Sequence, residues 1–296
     1  MLLPPDEGTL KAARKAWIET RVVWEQSEAF AFGPAGSLGY DGDLDDWPVN
    51  EVDVAAVLKD SKPITPELIN SLQTTQKGFH TIELLLFGTN SNKVLPFSPR
   101  ELEYLKYLTL AFDQTAQNLK QSWVAGVQGK PAYQTVFATA GESQNSAYPT
   151  QKAAVEEIVQ GIMGCLDEVG KEKIGVPLTA KTTDKLESRF SYTSLEDFKN
   201  NIQGAENAYR GQITDSSSKG GESLSAWVAQ QDPQLDQKIQ QEFQAIQTAL
   251  AALPKPIETQ MTDPATLTQL KVSQDAILKV FETFEDQVLP LVKAKA

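Results

Sequence analysis

The sequence predicts an all-α protein built as two helical, four-helix-bundle-like domains, and three observations carry that expectation. Apolar residues return at spacings of three and four along nearly the whole chain, while the two-residue alternation of a half-buried strand is almost absent. Helix start signals recur. Thr65-Pro66-Glu67, Ser98-Pro99-Arg100-Glu101, Thr193-Ser194-Leu195-Glu196, Asp232-Pro233 and Asp263-Pro264 each set a side-chain acceptor ahead of a proline or an acid. Residues 128–148 lose the helical period and gather Gly, Ser, Pro and Asn. A linker is expected there, dividing an N-terminal bundle (1–127) from a C-terminal one (149–296). Strand should fall far below the usual ~20–25%.

Taken in order, the first helix is expected from Glu7 to Phe32, stopped by Gly33-Pro34. A Gly/Asp-rich loop follows, from Gly36 to Asp46, then Trp47-Pro48 and a short helical piece near Val52 to Leu58. Thr65 caps a helix that should persist to Phe87, with Gly88 as its stop. Ser98 and Glu101 are spaced as a capping box for a helix reaching about Val127. In the second half, Val155, Val159, Ile162, Leu166 and Val169 share one helical stripe. The helix opened by Thr193 runs through Leu195, Phe198, Ile202, Ala205, Tyr209 and Ile213. Asp232 leads a stripe from Leu235 to Leu253, and Asp263 one from Leu267 to Val288. Roughly four helices per half suit a duplicated bundle, although no residue-level repeat marks one.

Composition removes several function classes. At 296 residues and 41% hydrophobic, the chain has ample material for a core. A net charge of −12 is the wrong sign for binding a phosphate backbone, so nucleic acid is not an expected partner. The single cysteine, Cys165, excludes an intramolecular disulfide and a cysteine-rich zinc module. The single histidine, His80, excludes HExxH proteases and three-histidine zinc sites. No run approaches the ~18 apolar residues of a membrane helix. Residues Met1 to Glu7 lack the character of a signal peptide, as would a mature exported chain. The acidic run Asp41 to Asp46 lacks the ligand spacing of a calcium loop and reads as a solvated turn.

Two irregularities point to chemistry. The helix around His80 is apolar on nearly every side toward its C-terminus, so it should be buried, yet His80 and Glu83 emerge side by side on it. A buried carboxylate without strong compensation costs several kcal/mol. Either Glu83 satisfies a core histidine, or a metal ion compensates both. Gly78, on the opposite face, suits close approach of another segment. In the first helix, Glu25 interrupts the apolar stripe formed by Ile18, Val22, Ala29 and Phe32, with Arg21 and Glu28 one turn away on either side. Two readings stay open here: a buried ion pair between Arg21 and Glu25 or Glu28, or a carboxylate that meets the His80–Glu83 face and completes a metal site.

Gly78-Phe79-His80-Thr81-Ile82-Glu83 resembles the Gly-x-His-x-x-Glu signature of the imelysin-like family. Glu25 to Pro34 resembles that family's first-helix segment, Asp46-Trp47-Pro48 its following loop, and Leu84 to Gly88 the end of its motif helix. Ser188-Arg189-Phe190-Ser191, Ser194 to Phe198 and Asn201 resemble its second-half block. The resemblance implies an all-α, two-bundle protein, periplasmic or anchored to the outer membrane in its full-length precursor. It also implies a role in iron acquisition beside iron-uptake proteins of the cell envelope. Its ligand would be a metal ion or an iron-containing compound. Family members are also classed as metallopeptidases, which gives one alternative. A helical binding module for a peptide, haem or small ligand gives another. On the metal reading His80 and Glu83 are ligands, with Glu28 and Glu25 the next candidates. That mix of one nitrogen with several oxygens favours a divalent or trivalent ion, iron first and zinc second. The resemblance further implies that Arg189, Ser191 and Asp197 reach the site from the second half. Arg21 would offset surplus negative charge or grip an anionic ligand.

Overall fold

The computed structural model describes residues 5–212 and 223–296; it is 72% helical, with no strand among the described residues. The α-helices in chain order are α1 (Glu7–Glu25), α2 (Pro34–Ser37), α3 (Tyr40–Asp45), α4 (Glu51–Lys59), α5 (Pro66–Ser71), α6 (Gly78–Phe87), α7 (Pro99–Val124) and α8 (Tyr133–Ala138). They continue with α9 (Gln151–Asp167), α10 (Val176–Ala180), α11 (Ser194–Arg210), α12 (Leu224–Gln231), α13 (Pro233–Ala251), α14 (Pro264–Thr283) and α15 (Leu289–Lys295). Ile213, expected at the end of the α11 stripe, lies outside the described residues, as do residues 1–4.

Four of the five predicted caps are made. Thr65 accepts from the Leu68 amide, Asp232 from those of Gln234 and Leu235, and Asp263 from that of Thr266. Ser98 and Glu101 form the reciprocal capping box. Three expected elements differ in extent. The first helix ends at Glu25 rather than Phe32, and only a single 3-10 turn, Glu28–Phe30, follows it. Near this break the backbone is crowded: a Cβ on Gly204 would stand 2.4 Å from the Gln26 carbonyl oxygen. The Gly/Asp-rich loop is partly helical, because Leu44 is buried and Asp41 and Asp43 occupy the favourable first turn of α3. The helix expected from Thr65 to Phe87 is broken into α5, a 3-10 turn at Thr74–Gln76, and α6. Lys77 is extended and Gly78 adopts a left-handed φ of +76°. The Tyr104 hydroxyl on α7 donates to the Gln76 carbonyl and fixes that turn.

The helices gather into two compact units that do not follow chain order. The first comprises Met1–Arg21, Gly33–Gln134 and Glu187–Thr193, and the second Val22–Phe32, Thr135–Leu186 and Ser194–Ala296. Residues 128–148 contain the short helix α8. In the first unit α6 is the central element, with Phe79, His80, Ile82, Glu83, Leu85 and Phe87 all buried. It packs on α3 and α7. The α1 helix is pinned to it by Trp17, whose indole N–H donates to the Phe79 carbonyl at 3.0 Å. In the second unit α9, α11, α13 and α14 surround a core that includes Phe198, Tyr209, Phe243 and Phe284. A π-helical segment, Glu168–Gly175, extends α9.

At Gly78 the backbone leaves no choice of residue. A Cβ there would lie 2.4 Å from the Leu44 carbonyl oxygen, on a backbone conformation that side chains rarely adopt. That close approach brings the end of α3 against the start of α6. Gly78→Ala should therefore cost well over ~1 kcal/mol of stability. Urea denaturation checks this, with the midpoint falling and the slope unchanged.

Candidate functional site

The first unit buries a charged cluster at the N-terminal end of α6. His80 is 1% exposed and Glu83 fully buried. Their three-residue spacing sets His80 Nδ1 3.2 Å from Glu83 Oε2. The other oxygen of Glu83 accepts from the amides of Phe190 and Ser191, at 3.1 and 2.7 Å, and from the Ser191 hydroxyl at 2.7 Å. Glu83 is thus the post to which the Glu187–Thr193 segment is tied, which explains why this stretch joins the first unit despite its place late in the chain.

The second ring nitrogen of His80 faces α3. Nε2 lies 3.2 Å from Asp45 Oδ1, within ion-pair range, yet it makes no aligned hydrogen bond. Arg21, 1% exposed, spans two carboxylates: one terminal nitrogen bonds Asp45 and the other bonds Glu187 at 2.6 Å. Its guanidinium also stacks 5.0 Å from the centre of the Phe79 ring. One donor atom from each of Asp45, His80 and Glu187 falls within 4.8 Å of the others. Burial and the Arg21 charge push the His80 pKa down, but the Asp45 and Glu83 carboxylates outweigh both and lift it to about 9.

Glu25 and Glu28 belong to the second unit, where both meet a buried ammonium. Lys173, from the π-helical segment, lies 3.3 Å from Glu25 Oε2 and 3.0 Å from Glu28 Oε2. Asn201 on α11 completes the cage: its amide donates to Glu25 Oε2 at 2.6 Å and to Glu28 Oε2 at 2.9 Å. Its carbonyl oxygen accepts from Lys173 at 3.2 Å. Asp197 lies one turn earlier on α11 and is 3% exposed.

Of the residues singled out from the sequence, Arg21, His80, Glu83 and Ser191 come together in the first unit. Arg189 belongs to the same unit, where it pairs with Glu51 and stacks over Phe190. Sequence reasoning missed Asp45, Glu187 and Lys173. Asp45 was hidden in a run of acids that reads as a solvated turn. Glu187 directly precedes the Ser188–Ser191 block, and that adjacency was the available signal. Lys173 carries no local mark, because π-helical widening is not written in apolar spacing.

Fold and site together define a class: an all-helical protein whose central helix buries a histidine and a glutamate, with two more carboxylates and an arginine closing around the imidazole. The family model for imelysin matches residues 2–283, and the chain belongs to the imelysin family. It is 40% identical over 289 residues to iron-regulated protein A of Synechococcus elongatus, a match covering 98% of this chain and 77% of that one. A crystal structure of an iron-regulated protein A precursor from Parabacteroides distasonis superposes with a TM-score of 0.85 at 27% identity, covering 98% of this chain and 84% of the other. An imelysin peptidase from Bacteroides ovatus aligns with a TM-score of 0.52 at 26% identity, over 60% of this chain and 50% of its own.

Because His80 is the sole histidine, its ring gives one set of imidazole resonances. In metal-free protein these should stay at imidazolium positions through neutral pH and move only as the pH approaches about 9. A midpoint near the ordinary value of 6.5 would show that the two carboxylates do not hold the proton.

Proposed function

We propose that this protein binds a metal ion, iron foremost, through Asp45, His80 and Glu187, and that it serves iron uptake in the cell envelope. The observation that carries the reading is the buried His80 Nε2, which lacks an aligned hydrogen bond and faces two carboxylates within a ligand-sized space. The donor chemistry fits: one imidazole and two carboxylates suit a borderline-to-hard ion such as iron, and a zinc ion next. Glu83 would then act from behind His80. It holds Nδ1 and so orients Nε2 toward the ion, as carboxylates commonly do for metal-bound imidazoles. The names of the relatives, iron-regulated in both cyanobacterial and Parabacteroides proteins, support the choice of iron.

Glu25 and Glu28 stand differently. The Lys173 ammonium already supplies a cation to both, so a metal there would have to compete with a tethered charge. The peptidase reading draws on the name of the Bacteroides ovatus relative. Glu83, the carboxylate that would serve as base, has both oxygens engaged by His80, Phe190 and Ser191. That engagement favours binding over hydrolysis. Placement in the periplasm or on an outer-membrane lipid anchor, next to iron-uptake proteins, completes the proposal. Among the described residues no helix is long and apolar enough to cross a membrane.

Metal titration tests the reading. Wild type purified without chelator or affinity metal should take up about one equivalent of iron(II), iron(III) or zinc, and the His80→Ala, Glu187→Gln double variant should lose it. Equal uptake by both proteins would refute the site.

A further inference from the structure

We propose that Arg21 is a tethered cation that closes the Asp45–His80–Glu187 site, and that a metal ion enters by displacing its guanidinium. The inference rests on the metal reading above. Arg21 reaches Asp45 with one terminal nitrogen and Glu187 with the other, so it engages two of the three donor side chains at once. It does so almost without solvent, where a second cation placed against the same carboxylates would meet strong repulsion. The Phe79 ring supports the guanidinium from below, at 5.0 Å, and Trp17 one turn earlier locks α1 onto α6. The planar fork is therefore held from three directions: two carboxylates and one aromatic face.

An arginine in this place has two opposite consequences for a metal. As a remote positive charge it would neutralise surplus carboxylate while leaving the donor atoms accessible. As a fork laid across both carboxylates it holds one oxygen of each in a charge-assisted hydrogen bond that an incoming ion must break. The geometry points to the second role. A lysine separates the two, because it keeps the charge but presents a flexible point donor that cannot span both carboxylates in fixed geometry.

The experiment compares wild type, Arg21→Lys and Arg21→Gln, each titrated with zinc(II) alone and with anaerobic iron(II) alone. Affinity is read by calorimetry and by the rise in melting temperature on metal addition. Arg21→Lys should bind several-fold tighter than wild type although the net charge is unchanged, and Arg21→Gln about tenfold tighter or more. If Arg21→Gln fails to fold without metal, Arg21→Lys, which retains a cation for the two acids, carries the comparison. Wild-type binding that His80→Ala abolishes but Arg21→Lys leaves unchanged or weakens overturns this inference alone. Absence of His80-dependent binding in every protein overturns the metal reading and this inference together.

Discussion

A carboxylate withdrawn from water inside a helical core is the constraint on which the first unit is built. Glu83 has no solvent exposure, and it persists because three N–H or O–H donors and an imidazole surround its two oxygens. Hydrogen bonds to a charged group contribute about 1.5–3 kcal/mol each, enough in combination to offset the desolvation of one carboxylate. Two of those donors are backbone amides of Phe190 and Ser191. The loop that delivers them therefore belongs to the same folded unit as α6, and the neighbouring Glu187 is carried in with it. From that one compensation follow the route of the chain and the second acid at Arg21.

The same rule operates around the other acids of the two charged clusters. Asp45 and Glu187 share Arg21; Glu25 and Glu28 share Lys173 and the amide of Asn201. Each compact unit thus carries its own tethered cation, one on α1 and one on a π-helical segment. Breaking either set by removing one partner leaves an uncompensated charge, a loss of about 3–5 kcal/mol in buried pairs. A metal-binding role fits a protein arranged in this way. The acids that would hold an ion are paired with Arg21, and the imidazole is held by Glu83.

Much of the fold was legible from apolar spacing and caps. The α-helical class, the buried α6, the Ser98–Glu101 capping box and the stripes of α11, α13 and α14 all follow from local rules that the structure obeys. The points that escaped were non-local. The break between α5 and α6 arises because Gly78 must meet the Leu44 backbone, a contact between segments more than thirty residues apart. The helical turn at Asp41–Asp45 depends on burying Leu44, which a run of acids and glycines conceals. The site was half legible. His80 and Glu83 stood out because they sit on an apolar helix, and Arg21 because it lies one turn from Glu25, which breaks an apolar stripe. Asp45 and Glu187 violate nothing locally; Glu187 has only its place before the Ser188–Ser191 block, and the folded contact with Arg21 identifies both.

Anomalous diffraction from crystals grown with iron or zinc would show whether Asp45, His80 and Glu187 are the donors of one metal centre. A single strong peak is expected at coordination distance from His80 Nε2 and from one carboxylate oxygen each of Asp45 and Glu187, roughly 2.0–2.2 Å for zinc. A peak held by Glu25 and Glu28 with Lys173 turned away, or no ordered peak at His80, would contradict it.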